Sequence, residues 1–153
     1  MPLAYVALGS NLGDREETLR GAVAALGEEP GIRVAAVSTL IDTAPVGVVD
    51  QPRFLNGVVA LETELSAQGL LAVLLTIERR FGRRREASTP HGPRTLDLDL
   101  LLYGDQVIDE PGLRVPHPCL HEREFVLGPL AELAPGLVVP GKGTVETLRA
   151  GIH

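Results

Sequence analysis

The ten residues Gly92-Pro93-Arg94-Thr95-Leu96-Asp97-Leu98-Asp99-Leu100-Leu101 constrain this chain more than any other stretch. Polar and leucine positions alternate with period two, the pattern of a strand with two unlike faces. Thr95, Asp97 and Asp99 fall on one face, and Leu96, Leu98 and Leu100 on the other. Aspartate is a poor strand former, and two carboxylates about 7 Å apart on one pleated face repel each other. A divalent cation offsets that repulsion, since hard cations such as Mg²⁺ take oxygen ligands, commonly one or two carboxylates plus substrate phosphates. The competing reading is a solvated strand face whose acids happen to alternate, and for an isolated Asp-x-Asp pair it has the better claim.

The arginines upstream change the weighing. Arg79, Arg80, Arg83, Arg84, Arg85 and Arg94 fall within sixteen residues of a chain whose net charge is −6. An arginine-rich segment opening onto a carboxylate strand suits a metal–polyphosphate, with acids on the cation and guanidiniums clamping phosphate oxygens. Gly82, Ser88, Thr89, Pro90, Gly92 and Pro93 make the segment a surface loop. Cations at a helix C-terminus explain Arg79 and Arg80 equally well, Arg83 to Arg85 less well, and Arg94 not at all. The acidic balance, with no aromatics interleaved among the basic residues, argues against a nucleic-acid surface.

A chain of 153 residues with 44% hydrophobic content reads as one globular domain over residues 1–153. It has no run of eighteen apolar residues, and the start Met1-Pro2-Leu3-Ala4-Tyr5 has no basic leader, so a soluble, unexported protein is expected. The single cysteine, Cys119, excludes an internal disulfide and a cysteine-built metal site and reads as a small buried thiol. Arginine outnumbers lysine thirteen to one, a bias that heat tolerance and codon supply explain equally well.

Strand and helix signals alternate without a linker or repeat. Leu3 to Leu8 is a short apolar strand. Gly9 to Asp14 is a turn, and Asp14 with Glu17 has capping-box spacing for a helix to about Leu26. Val34 to Ile41 reads as a second strand, Leu55 to Leu65 as a third, Ser66 as the cap of a helix through Phe81, and Thr95 to Tyr103 as a fourth strand. This order is an α+β class fold, the ferredoxin-like βαββαβ core: an antiparallel sheet with two helices on one face. C-terminal additions follow, comprising a short strand pair, a helix near Phe125 to Leu133 and a loop-rich tail.

Val6-Ala7-Leu8-Gly9-Ser10-Asn11-Leu12-Gly13, Phe54-Leu55-Asn56, Gly92-Pro93-Arg94-Thr95-Leu96-Asp97-Leu98-Asp99, Val115-Pro116-His117 and Arg123-Glu124-Phe125 occur in the order found in one family. Over about residues 4 to 140 the chain resembles the 6-hydroxymethyl-7,8-dihydropterin pyrophosphokinases of folate biosynthesis. The resemblance implies a cytoplasmic monomer that moves the β,γ-pyrophosphoryl group of ATP to the pterin hydroxymethyl oxygen, leaving AMP, with no nucleic-acid or membrane partner. It implies two Mg²⁺ ions held by Asp97 and Asp99 and catalytic roles for Arg83, Arg85 and Arg94 on the phosphates. Leu71, Glu78, Arg85, Arg94, Leu100, Arg114, His117 and Arg123 match ATP-contacting positions. Thr43, Ala44, Pro45, Val46, Phe54, Asn56, Asp97 and Phe125 match pterin-contacting ones, with Phe54 and Phe125 sandwiching the heterocycle.

Several of these residues also have plain structural readings. From sequence alone Phe54 and Phe125 read as ordinary core, Glu78 as a helix surface charge beside an arginine, and Arg123 as a partner of Glu122 or Glu124. His117 reads as a turn residue between prolines, His121 as solvated, and Gly9 to Gly13 as architectural, with a phosphate cradle at Ser10 and Asn11 as the alternative. The chain departs from the family at His91, where many members carry tryptophan, at Pro90, usually basic, and at Pro118, tyrosine in some relatives. Pro90 and Pro93 imply a stiffened loop. Two other classes compete: a Mg²⁺-dependent phosphohydrolase using the Asp-x-Asp strand, which Arg94 before the pair and leucines after it argue against, and a non-catalytic ligand-binding module, which needs neither aspartate.

Overall fold

The structure, a computed structural model, describes residues 2–44, 52–82 and 96–152. The expectations for Pro45, Val46, Arg83, Arg85, Arg94 and Thr95, and for the loop positions Pro90, His91 and Pro93, lie outside the described residues.

β1 (Leu3–Ser10) is the strand on which the sheet is built. It pairs antiparallel with β4 (Phe54–Thr63) on one side and with β5 (Asp97–Tyr103) on the other. β2 (Ile32–Val37) extends the sheet beyond β4, giving the order β2-β4-β1-β5. With α1 (Arg15–Glu28) and α2 (Ala67–Arg80) between the strands, this is the βαββαβ order and antiparallel sheet anticipated from the chain. Both caps also form as the spacing predicts. The Asp14 carboxylate accepts from the Glu17 N–H at 3.1 Å, and the Ser66 hydroxyl accepts from the Gly69 N–H at 3.0 Å, each worth about 1 kcal/mol.

Alternation on the strands sends two sets of side chains to two faces. Ala4, Val6, Leu8, Val59, Leu61, Leu98 and Leu100 face α1 and α2, whose buried stripes are Leu19, Ala22, Ala25, Leu26 and Ala67, Leu70, Leu74, Ile77. Tyr5, Val58, Ala60, Leu101 and Leu102 face the other way and meet α3 (Glu124–Leu133) through Val126, Leu127 and Leu130. Each fully buried aliphatic side chain in these layers contributes about 1.5–3 kcal/mol of transfer free energy. The helices of the core therefore occupy one face as expected, and the C-terminal additions cover part of the second.

Two elements differ from expectation. The predicted strand Val34 to Ile41 is split into β2 and β3 (Ile41–Thr43). Ser38 lies between them: its N–H donates to the Val58 carbonyl and its hydroxyl accepts from the Val58 N–H, both at 2.9 Å. That hydroxyl stands in for a ladder carbonyl, so the backbone bends away there without leaving Val58 unpaired. The tail contains ordered pieces beyond loops. After the hairpin of β6 (Ile108–Glu110) and β7 (Leu113–Val115) and after α3, β8 (Val138–Val139) pairs with β9 (Gly143–Thr144), leading into α4 (Val145–Ala150). A six-residue helix carries too little periodicity to be read from sequence.

Leu61 is fully buried in the strand that pairs with both β1 and β2. Leu61→Ala should cost about 2–5 kcal/mol, read as a lower urea midpoint with an unchanged slope.

Candidate active site

The second sheet face is not fully covered by α3, and the uncovered end is a cavity open to solvent. Its floor follows from register. Gly9 of β1 lies between Asn56 of β4 and Asp97 of β5, and Ala7 lies between Val58 and Asp99. The central strand thus presents Gly9 and Ala7 on the face where its neighbours carry Asn56, Asp97 and Asp99, which leaves a depression. A Cβ at Gly9 would stand 2.9 Å from the Asn56 Oδ1 and 4.0 Å from the Asp97 Cβ. A strand glycine of this kind marks close approach rather than a turn.

The walls come from four other segments. Thr43 ends β3 and Ala44 follows it, Phe54 opens β4, Phe125 and Val126 lie in the first turn of α3, and His117, Cys119, Leu120 and Arg123 come from the segment between β7 and α3. The β1–β5 register slips between Tyr5 and Val6, leaving Leu101 as the extra residue of a bulge. The Leu101 carbonyl accepts the His117 N–H at 2.9 Å, so the bulge fixes the histidine's place over the acid strand.

Donors and acceptors are assigned by their bonds. The Asn56 amide nitrogen donates to the Thr43 hydroxyl, which orients its carbonyl oxygen toward the floor over Gly9. The His117 Nδ1 accepts from the Cys119 N–H at 3.1 Å, so the neutral ring carries its proton on Nε2. Burial, reinforced by the Arg123 charge and opposed by Asp97, holds the His117 pKa below its usual value. The Arg123 guanidinium lies 5.6 Å from the centre of the Phe125 ring, a cation–π pairing.

Of the residues singled out from sequence, Thr43, Ala44, Phe54, Asn56, Asp97, Asp99, His117, Arg123 and Phe125 all line this one cavity. Phe54 and Phe125 are half-buried, not the ordinary core their residue type suggests. Glu78 is 1% exposed and accepts the Leu98 N–H at 2.8 Å, which removes the surface-charge reading. Glu124 bonds Arg149, and Glu122 faces a half-buried His121 at 3.6 Å, so neither acid is placed as the partner anticipated for Arg123. Ser10 and Asn11 are buried, with the Asn11 amide on the Pro52 carbonyl at 3.0 Å, an architectural use. Cys119 is half-buried at the cavity wall, not the enclosed thiol expected. Leu71 and Leu100 pack in the α1/α2-side core, and Arg114 is exposed 3.3 Å from Asp109; none of the three lines the cavity. Sequence reasoning missed Ala7 and Gly9 as its floor, although a glycine inside an apolar strand was the available signal.

Asp97 and Asp99 place two carboxylates on one face of the cavity, hard oxygen groups of the kind that could hold a Mg²⁺ ion together with phosphate oxygens and water. Among the described residues no group of three or more His, Cys, Asp or Glu forms a closed metal cage.

The family model for 7,8-dihydro-6-hydroxymethylpterin-pyrophosphokinase matches residues 5–135. The chain belongs to that family. A Pseudomonas aeruginosa 2-amino-4-hydroxy-6-hydroxymethyldihydropteridine pyrophosphokinase is 50% identical over 147 residues, 95% of this chain and 90% of the relative. The Methylorubrum extorquens protein of the same name is 51% identical over 149 residues, 97% of this chain and 92% of the relative. A solved Plasmodium falciparum HPPK-DHPS chain, wild type with SDX-DHP, superimposes with a TM-score of 0.71 at 14% identity, a likeness of fold. It covers 98% of this chain, which spans 43% of that longer one. The ferredoxin-like core is thus the family's fold.

The depressed His117 pKa has a consequence for stability. Between the unfolded value near 6.5 and the lower folded one, the unfolded chain binds a proton that the folded chain does not, so acidification across that window destabilises the fold. The melting temperature of the metal-free protein should fall more steeply between about pH 7 and pH 5 than that of His117→Asn. Parallel curves would contradict the assignment.

Proposed function

We propose that this chain is a Mg²⁺-dependent pyrophosphokinase that transfers the β,γ-pyrophosphoryl group of ATP to the hydroxymethyl oxygen of 6-hydroxymethyl-7,8-dihydropterin. The observation that carries it is one cavity in which two carboxylates on one strand face meet two phenyl rings, the half-buried Asn56 amide, a histidine and an arginine. The ferredoxin-like fold alone would not decide, because it hosts many chemistries; membership of the family and this constellation together support the reading.

Phe54 and Phe125 bind the flat heterocycle by its faces, with offset stacking worth about 0.5–1.5 kcal/mol per ring beyond area burial. The Asn56 carbonyl oxygen accepts from the heterocycle's amide-like edge, with Thr43 and Ala44 on the wall beside it, and the family resemblance assigns pterin contacts to Pro45 and Val46 as well. Asp97 and Asp99 hold the Mg²⁺–triphosphate, Asp97 lying on the pterin side in the row with Asn56 and Gly9. Cations held there by Asp97 and Asp99 would supply charge neutralisation for the phosphates and the leaving group. The neutral His117 donates from Nε2 and Arg123 from its guanidinium to phosphate oxygens. By the family resemblance, Arg83, Arg85 and Arg94 add further phosphate clamps. The hydroxymethyl oxygen bonds to the β-phosphorus, the bridge to the α-phosphate breaks with its electron pair leaving on AMP, and the hydroxyl proton passes to the carboxylate pair. Such a transfer depends on positioning and electrostatics more than on covalent chemistry.

No helix of the described residues is long and apolar enough to cross a membrane. The enzyme acts as a monomeric cytoplasmic domain over residues 1–153, without nucleic-acid or membrane partners.

The isosteric changes Asp97→Asn and Asp99→Asn should each cut pterin-dependent AMP formation at saturating Mg²⁺ about 10²–10³-fold or more, the scale for losing an electrostatic group aimed at transferring charge. Activity within tenfold of wild type in either variant would remove the metal-site assignment. Gly9→Ala should raise the pterin KM about tenfold by displacing the Asn56 carbonyl, while the ATP KM stays within about twofold. Steady-state kinetics with each substrate varied distinguishes the two effects.

A further inference from the structure

Outside the cavity, three charged residues tie together the chain segments that carry its pterin-side wall. Asp42 is followed by Thr43 and Ala44, which line the cavity, and Arg53 is followed by Phe54, which faces them. The Arg53 Nε donates to the Asp42 Oδ1 at 2.6 Å, and its Nη2 to the Asp42 carbonyl at 3.3 Å. Arg15, the first residue of α1, uses both arms of its guanidinium: Nη2 donates to the Asp42 Oδ2 at 3.2 Å and Nη1 to the Arg53 carbonyl at 2.8 Å. The buried Asn11 adds a bond from Nδ2 to the Pro52 carbonyl.

The β3–β4 ladder these bonds support has only three rungs, Ile41–Asn56, Asp42–Leu55 and Thr43–Phe54. Two of those rungs carry the cavity residues Thr43, Phe54 and Asn56. A ladder this short fixes its own end poorly, whereas the Arg15 fork pins both of its strands to the start of a helix anchored in the core. Exposed ion pairs add little to global stability. Their effect here is local, because three of the five bonds end on backbone carbonyls at the ladder's open end.

We propose that Arg15, Asp42 and Arg53 are positioning residues that set the pterin-side wall and with it the affinity for the heterocycle, without touching either substrate. The inference rests on the pyrophosphokinase reading above. A planar guanidinium can serve the carboxylate and the carbonyl together, while an ammonium cannot reproduce the fork. The wall should also loosen as salt screens the exposed pairs.

The test is steady-state AMP formation by the full chain with pterin and ATP varied separately, in wild type, Arg15→Met, Arg15→Lys and Asp42→Asn. Arg15→Met should raise the pterin KM about five- to tenfold, with kcat and the ATP KM within about twofold. Arg15→Lys and Asp42→Asn should shift it in the same direction by less. The wild-type pterin KM should rise between about 0.05 and 1 M NaCl, and that salt dependence should be lost in Arg15→Met. An unmoved pterin KM in both Arg15→Met and Asp42→Asn, or an equal rise in the ATP KM, overturns the inference while wild-type activity leaves the functional reading standing. A wild-type chain without pterin-dependent AMP formation removes both.

Discussion

The register of β1 against its two neighbours is the constraint on which the site depends. Because Gly9 opposes Asn56 on one side and Asp97 on the other, the Asn56 amide and the first carboxylate are neighbours across a residue with no side chain. A slip of one residue would turn Asp97 and Asp99 toward α1 and α2, into a layer of leucines with no polar partner. Burial of Leu96, Leu98 and Leu100 on that side therefore holds the aspartates on this one. The core and the site are two faces of the same alternation.

The remaining polar groups are placed by secondary bonds to that sheet. Glu78 of α2 accepts the N–H of Leu98, between the two aspartates, so a buried acid stiffens the strand that carries the half-buried ones. The Leu101 bulge holds His117, and the Cys119 N–H selects its tautomer. Each of these groups is costly to bury alone and is bonded where it is buried, which preorganises the site. Charge is separated along the cavity, with carboxylates on the floor and Arg123 at the wall against Phe125.

What was legible in the sequence was what depends on near neighbours. The Asp97–Leu98–Asp99–Leu100 alternation, the Asp14–Glu17 spacing and the Ser66 cap are local signals, and each produced the element it implied. The kink at Ser38 was not legible, because it depends on a hydroxyl bonding a strand twenty residues away. Nor was the half-burial of Phe54 and Phe125, since a ring over a cavity and a ring in a core have the same sequence signature until the small residues beneath it, Ala7 and Gly9, are known to share its face. The ordered motif resemblance supplied the ligand-facing roles that periodicity could not, and the cavity gathers nine of those positions. The Arg15–Asp42–Arg53 cluster was invisible for the same reason as the Ser38 kink: its members meet only in three dimensions.

The most direct test of the account is the fate of the phosphorus atoms. Phosphorus NMR of the wild-type chain with Mg²⁺, ATP and 6-hydroxymethyl-7,8-dihydropterin should show AMP and a pterin diphosphate growing in equal amounts, with no ATP consumed when the pterin is left out. Growth of ADP or inorganic phosphate in place of that pair, with or without the pterin, would contradict pyrophosphoryl transfer in this cavity.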